Sequence, residues 1–563
     1  MKKIIACLLA AMAVVSTAAL TGCRSEQNPV TTTTQVAATT DKTEIKLPSM
    51  ELSGYKIIIS DKASAEIKKA ANEMKSILKQ YLSLEIRVAN DYVYADSPVD
   101  PAAKEILVGA TNRQESLDAQ NKLAEVGGNR YLIGSTDNKI VIYGADDKAI
   151  LFGMRAFLTE FASKSTETGA IPMPVGVSEI KDYDADMEIN EYLVTIDIIS
   201  KSTVQSLKPD GGSTWPTYGR IMQLKHNGEN NGTLFATGQW AGKNFPIYRS
   251  TDDGKTWELI STVEETMYKK LLANWQPHIY ELPCKVGEMP EGTLLLAGCS
   301  HDSSTERNTR MCIWRSYDLG LTWEEFTIVD EGNGIGDGMY EPFLICDDDG
   351  TLVCFYSDET EVSDKGGQRL VFRTSKDGVT WGDLQYCVAP SDTSLRPGMV
   401  TVTKVGDYGY ALAYEMIGQE RGPVYCKFSK SLTDWGNVKS YGTQVKTSDA
   451  FTGCTPYIEW TPRGGKYGTL IAAGRFGELK KGRGSDLFIS FDLGKTWQSF
   501  ENPLPYDYYK DSSANYAYSF GFFTGSDGDI YYINNCFPDN EANKYKYADL
   551  KVAKIRITRV GED

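Results

Sequence analysis

Cysteine chemistry is the first thing this chain of 563 residues lacks. Of 11 cysteines, Cys7 and Cys23 belong to the N-terminus, and the other nine lie between Cys284 and Cys536 with no Cys-x-x-Cys spacing. An odd number without paired spacing indicates neither a disulfide framework nor a zinc site. Contexts such as Phe343-Leu-Ile-Cys346 instead lead us to expect buried free thiols. Histidine numbers only three, and His301-Asp302 has no second ligand at metal spacing, so neither a metal site nor a cofactor is expected. Positive charge is also short. With 59 Lys and Arg against 75 Asp and Glu the formal net charge is −16, which argues against a nucleic-acid partner. No long apolar run follows the first one, so the remainder has the composition of soluble domains.

What is present begins with an address. Residues 1–22 carry Lys2 and Lys3, an apolar run from Ile4 to Leu20, and then Leu20-Thr21-Gly22-Cys23, the layout of a secretory signal. Residues 23–50 are rich in Thr, Ser, Gln and Ala with little to bury, and read as a disordered tether. From 51 to 185 strands and helices alternate: Tyr55 to Ser60 is a strand, and Ala63 to Tyr81 sets Ile67, Ala71, Met74, Leu78 and Tyr81 on one helical face. Strands at Glu105 to Ala110 and Lys139 to Tyr143 and a helix over 149–161 complete a small α/β domain.

The remainder, 190–563, is organised by five copies of one stretch. The clearest is Ser250-Thr-Asp-Asp-Gly-Lys-Thr-Trp257, followed by Ser316 to Trp323, Thr374 to Trp381, Ser429 to Trp435 and Ser490 to Trp497. A period near 60 residues means a repeated supersecondary unit. Asp and Ser bond nearby backbone N–H groups and Gly supplies positive φ, so each copy reads as a tight turn between strands. Units of about four strands suggest a β-propeller.

These turns resemble the Asp-boxes of sialidase-like propellers, whose resemblance implies six blades with the box between the two outer strands. One blade is then left without a box, the one closed by both chain ends. Leu20 to Cys23 resembles a bacterial lipoprotein box, which implies lipidation of Cys23 and an exported chain anchored to the cell envelope. The pieces EILVGATNR (105–113) and IVIYGADDKAILFGMRAFL (140–158) resemble the accessory α/β domain of β-hexosaminidases, which contributes no chemistry.

Two carboxylates stand in apolar strand contexts, Glu341 in YEPFL and Glu415 in YALAYE, where each is costly unless partnered or functional. The bland alternatives are a strand-end hydrogen bond for Glu341 and a structural ion pair with Arg396 for Glu415. The succession YEPFL, YSDE, RPGMVTV, YALAYE, TPYIEW over about 220–530 resembles the exo-arabinanases of glycoside hydrolase family 93. That resemblance implies a carbohydrate substrate and a retaining mechanism with Glu341 and Glu415 as the catalytic pair. Arg220, Trp275, His278, Arg396 and Tyr518 are the candidate substrate contacts, and Glu359 and Asp358 are supporting loop groups. An exo-α-sialidase is the runner-up; it needs three arginines and an acid loop, yet Thr237 to Asn244 holds no acidic residue, only Lys427 or Arg421 stands where the second arginine is wanted, and Arg483 is the candidate for the third. A third reading is a surface lipoprotein that binds glycans without cleaving them.

Overall fold

The computed structural model describes residues 49–560 except 94–97, 187, 207–215, 240–243, 265–270, 303–308, 333–337, 361–366, 449, 478–485, 508–515, 542–543 and 545–547. The signal, Cys23 and nearly all of the tether lie outside the described residues, as does Arg483.

Six strands form the first sheet: β1 (Lys56–Ile59), β2 (Arg87–Asn90), β3 (Glu105–Val108), β4 (Arg130–Ser135), β5 (Lys139–Gly144) and β6 (Ser178–Asp182). Their order is β2-β1-β3-β5-β4-β6. The first four in that order run parallel, and β4 lies antiparallel to both β5 and β6. Helix α1 (Ala65–Leu82) is capped by Ser64, whose hydroxyl accepts the Ile67 N–H at 3.0 Å. Its buried Ile67, Ala71, Met74 and Leu78 face Ile57 and Ile59. Helix α3 (Asp147–Phe157) packs on the same face, then widens into a π-helical turn at Leu158–Ala162. Helix α2 (Gln114–Val126), which the sequence reading did not include, covers the opposite face with Ala119 and Leu123 against Ile58 and Leu107. Coverage on both faces explains why the parallel strands are continuously apolar.

Six four-stranded antiparallel sheets follow and make a six-bladed propeller. Blade 1 starts at Thr217–Gln223, blade 2 at Leu271–Glu281, blade 3 at Met339–Cys346, blade 4 at Arg396–Lys404, blade 5 at Tyr457–Thr461 and blade 6 at Gly521–Thr524. Blade 6 takes its outermost strand, Val194–Ser206, from the beginning of the propeller and pairs it with Asp549–Arg559. It is the blade without an Asp-box, and each of the five boxes joins the third and fourth strands of its blade.

The boxes are self-contained hydrogen-bond knots. Ser250 Oγ donates to Asp252 Oδ1 at 2.8 Å and accepts the Gly254 N–H at 2.9 Å. Asp252 also takes the Thr256 N–H at 2.9 Å and its hydroxyl at 2.7 Å. The same set recurs at Ser316 to Thr322 and Ser490 to Thr496. The nine described cysteines are free, and seven of them are buried.

Candidate active site

Each of the first four blades breaks its innermost strand near its start. Tyr218, Gln276, Glu341 and Met399 all have positive φ, between 52° and 60°, at or beside a register shift in the ladder. Such bulges turn a side chain out of the sheet's alternation. The freed N–H groups reach back to the preceding blade. Gln276 N–H donates to Gln239 Oε1 at 3.0 Å, Glu341 N–H to Gln276 Oε1 at 3.0 Å, and Met399 N–H to Ser357 Oγ at 3.2 Å. Thr455, with φ 41° just ahead of the fifth blade, donates its N–H to Glu415 Oε2 at 2.7 Å.

This ring brings Glu341 of blade 3 and Glu415 of blade 4 to one pocket of about 350 Å³, together with Tyr340, Gln368, Arg396, Arg475 and Tyr518. Gly398 sits opposite Glu415 in the ladder, and a Cβ there would lie 3.2 Å from Glu415 Oε1. Gln276 Nε2 donates to Glu341 Oε1 at 3.0 Å, and the Tyr218 hydroxyl lies 3.4 Å from the same oxygen. Burial raises the Glu341 carboxyl to about 7 against the hydrogen bonds it receives. Glu415 is raised to about 7 as well, by burial and by the nearby Glu341, while Arg396 and Arg475 pull it down. Two carboxyls at about 7 in one pocket suit a pair in which one gives a proton and the other stays ionised.

Of the other candidate contacts, Arg396 and Tyr518 line this pocket. Arg396 pairs with Glu359 and donates to Gln368 Oε1 at 3.2 Å, so its ion-pair partner is Glu359 and not Glu415. Asp358 caps the following turn through the Thr360 N–H at 2.9 Å.

Three of the candidate contacts do not line this pocket. Arg220 is buried, donating to the carbonyls of Gly219 and Phe520 at 2.9 and 2.8 Å between the rings of Tyr218 and Tyr457. It holds blade 6 to blade 1 and does not line the pocket. His278 accepts the Leu344 N–H at 3.0 Å on Nδ1 and stacks on Phe343 at 4.1 Å, facing a separate cavity of about 330 Å³. Its buried imidazole is held well below its usual pKa by desolvation. Trp275 packs at a tilt against His301, ring centres 3.9 Å apart, one ring removed from the pocket-lining Tyr340. Lys427 bonds the carbonyls of Cys387 and Asn437 at 2.9 and 3.1 Å, a structural use of the charge.

Arg475, Gln276, Gln368 and Thr455 were not anticipated. Arg475 follows the second strand of blade 5, Thr469–Ala473, and sets its guanidinium 4.8 Å from the Tyr518 ring centre. Ser357 and Glu415 also come from second strands of their blades, so strand position was the one signal that could have found it. Among the described residues no group of three or more His, Cys, Asp or Glu could hold a metal ion, and no helix is long and apolar enough to cross a membrane.

Comparison with known proteins agrees with the propeller fold. Residues 233–405 match the family described as a BNR repeat-like domain. The structure is similar to that of the GH93 alpha-L-arabinofuranosidase of Fusarium graminearum in complex with arabinobiose, at 26% identity and a TM-score of 0.54, covering 64% of this chain and 98% of that one. It is also similar to an alpha-L-arabinanase of Penicillium chrysogenum complexed with arabinobiose, at 28% identity and a TM-score of 0.52, with the same coverage of 64% and 98%. No curated protein matches the sequence. The propeller is thus built like those of solved glycoside hydrolases.

Proposed function

We propose that this chain is an exo-acting glycosidase that cleaves an arabinan-like polysaccharide by a retaining reaction on Glu341 and Glu415. The observation that carries the reading is the meeting of the half-buried Glu341 and the buried Glu415, both carboxyls raised to about 7, in one pocket of a glycosidase-like propeller. In the first step the protonated carboxyl gives its proton to the glycosidic oxygen while the other carboxylate attacks the anomeric carbon. The C–O bond to the leaving sugar breaks and a glycosyl ester forms. In the second step the first carboxylate takes a proton from water, whose oxygen displaces the ester and releases the sugar with retained configuration. Tyr518, Arg396 and Gln368 supply the surrounding stacking and hydrogen-bonding surface.

The same reading takes Cys23 as the lipidated first residue of an exported chain, so that the enzyme works on polysaccharide at the cell envelope. Mass spectrometry of the mature N-terminus, with and without Cys23→Ala, tests this.

The catalytic test uses Glu341→Gln and Glu415→Gln. Glutamine keeps the acceptor that Thr455 needs, since Gln239 receives an equivalent N–H in blade 1. Each substitution is expected to lower hydrolysis of linear arabinan by about 10²–10⁴-fold. Azide rescue then assigns the roles: a glycosyl azide of retained configuration marks the acid variant, and one of inverted configuration marks the nucleophile variant. Cleavage of a fluorogenic sialoside, unaffected by either change, would replace this reading with the sialidase one, against which stands the burial of Arg220. Arabinan binding without hydrolysis by the unaltered protein would leave a non-catalytic glycan receptor.

A further inference from the structure

The α/β domain has a crevice of its own, about 480 Å³, at the carboxyl ends of β1, β2 and β3. The chain leaves β1 for β2 on one side and returns to β3 on the other, with α1 and α2 on opposite faces of the sheet. That is a topological switch point, where strand-end loops diverge and open α/β sheets take their ligands. Here the loops are tied together from within. Asp91, 4% exposed, accepts the Asp61 N–H on one carboxylate oxygen and the Asn112 N–H on the other, both at 2.8 Å. Asn112 Nδ2 returns a bond to the Asp91 carbonyl at 2.7 Å, and Arg113, clamped to Glu105 at 2.9 Å, donates to that same carbonyl at 3.3 Å. One buried carboxylate thus ties all three loops together at the mouth of the crevice.

The walls are unusual for a domain surface. Tyr92 is 59% exposed, Leu117 45% and Val93 38%, all three around the same opening as Asp61, Asn112 and Gln120. Exposed apolar surface gathered in a polar-rimmed crevice marks a binding site. Two carboxylates, Asp61 and Asp91, against the single cation Lys62 make it inhospitable to a phosphate at the start of α2. A tyrosine ring flanked by amides and a carboxylate acceptor fits a neutral polyol, whose C–H face stacks while its hydroxyls donate and accept.

We propose that this crevice binds a neutral carbohydrate chain, holding polysaccharide independently of the propeller pocket. The site does not rest on the catalytic reading. The test is affinity electrophoresis of the mature full chain carrying both Glu341→Gln and Glu415→Gln, in gels containing linear arabinan, arabinogalactan, xylan or mannan. At least one polysaccharide is expected to retard it, and Tyr92→Ala and Leu117→Asp are each expected to weaken that retardation five-fold or more. On the active background the same two substitutions should leave hydrolysis of a soluble aryl arabinofuranoside unchanged, with thermal midpoints confirming the fold. Retardation by none of the four, or retardation indifferent to both substitutions, overturns the proposal. So does a Tyr92-dependent response to inorganic phosphate in place of polysaccharide. Loss of aryl-glycoside hydrolysis by the unaltered protein would fail the catalytic reading alone.

Discussion

Glu341 and Glu415 illustrate how a carboxyl taken out of water costs a protein stability. Each titrates near 4.5 in the unfolded chain and near 7 in the folded one, so between those values the folded state binds more protons. Stability therefore falls as pH rises through that window. Glu415→Gln removes the liability and is expected to gain about 1–3 kcal/mol at pH 8 and nothing near pH 4, read from thermal midpoints at the two pH values. The same titration sets the alkaline limb of activity: kcat/KM should decline above about pH 7, once neither carboxyl keeps its proton. Gly398→Ala probes position without charge. Its Cβ would meet Gln368 Nε2 at 2.9 Å and Glu415 Oε1 at 3.2 Å, so kcat should drop about ten-fold or more while the thermal midpoint barely moves. These two glutamates were legible because a carboxylate among strand-forming apolar residues needs a reason. Arg475 was not, because its pocket is assembled from four blades.

The Asp-boxes and the inner-strand bulges make an instructive contrast. A box closes its hydrogen bonds within eight residues, from Ser316 Oγ to Asp318 and Gly320 and from Asp318 to Thr322, so its sequence states its structure. Ser316 is buried, and Ser316→Ala would leave the Gly320 N–H without its acceptor, at a cost of about 1–3 kcal/mol measurable by calorimetry. The bulges at Tyr218, Gln276, Glu341 and Met399 put tyrosine, glutamine, glutamate and methionine at positive φ. No local rule selects those residues for that conformation. They are held by acceptors from the neighbouring blade, which only the closed propeller supplies.

Closure also governs how the two folded regions meet. Arg559, at the end of the last strand, pairs with Glu73 of α1 at 2.5 Å and lies 4.3 Å from the Phe491 ring centre, with both charged side chains nearly buried at 9% and 12% exposure. Removing one partner leaves a buried charge uncompensated. Glu73→Ala should therefore destabilise the protein by about 3 kcal/mol while the kcat of folded molecules is unchanged, since neither residue lines the pocket. Calorimetry beside kinetics on the same samples distinguishes the two effects.

The sequence by itself determined the repeat, the strand–helix alternation of the first domain and the candidate glutamates, because each rests on contacts within a few residues or on apolar periodicity, and the resemblance to six-bladed propellers added the blade without a box. It missed α2, whose buried face is only Ser116, Ala119 and Leu123 and so gives a thin periodic signal. It also assigned Arg220 and His278 to the sugar. The tertiary structure decided those cases, because an arginine's role depends on what lies at the end of its side chain. For Arg220 that is a pair of carbonyls from Gly219 and Phe520, the latter 300 residues distant, and for His278 it is the backbone of the next blade.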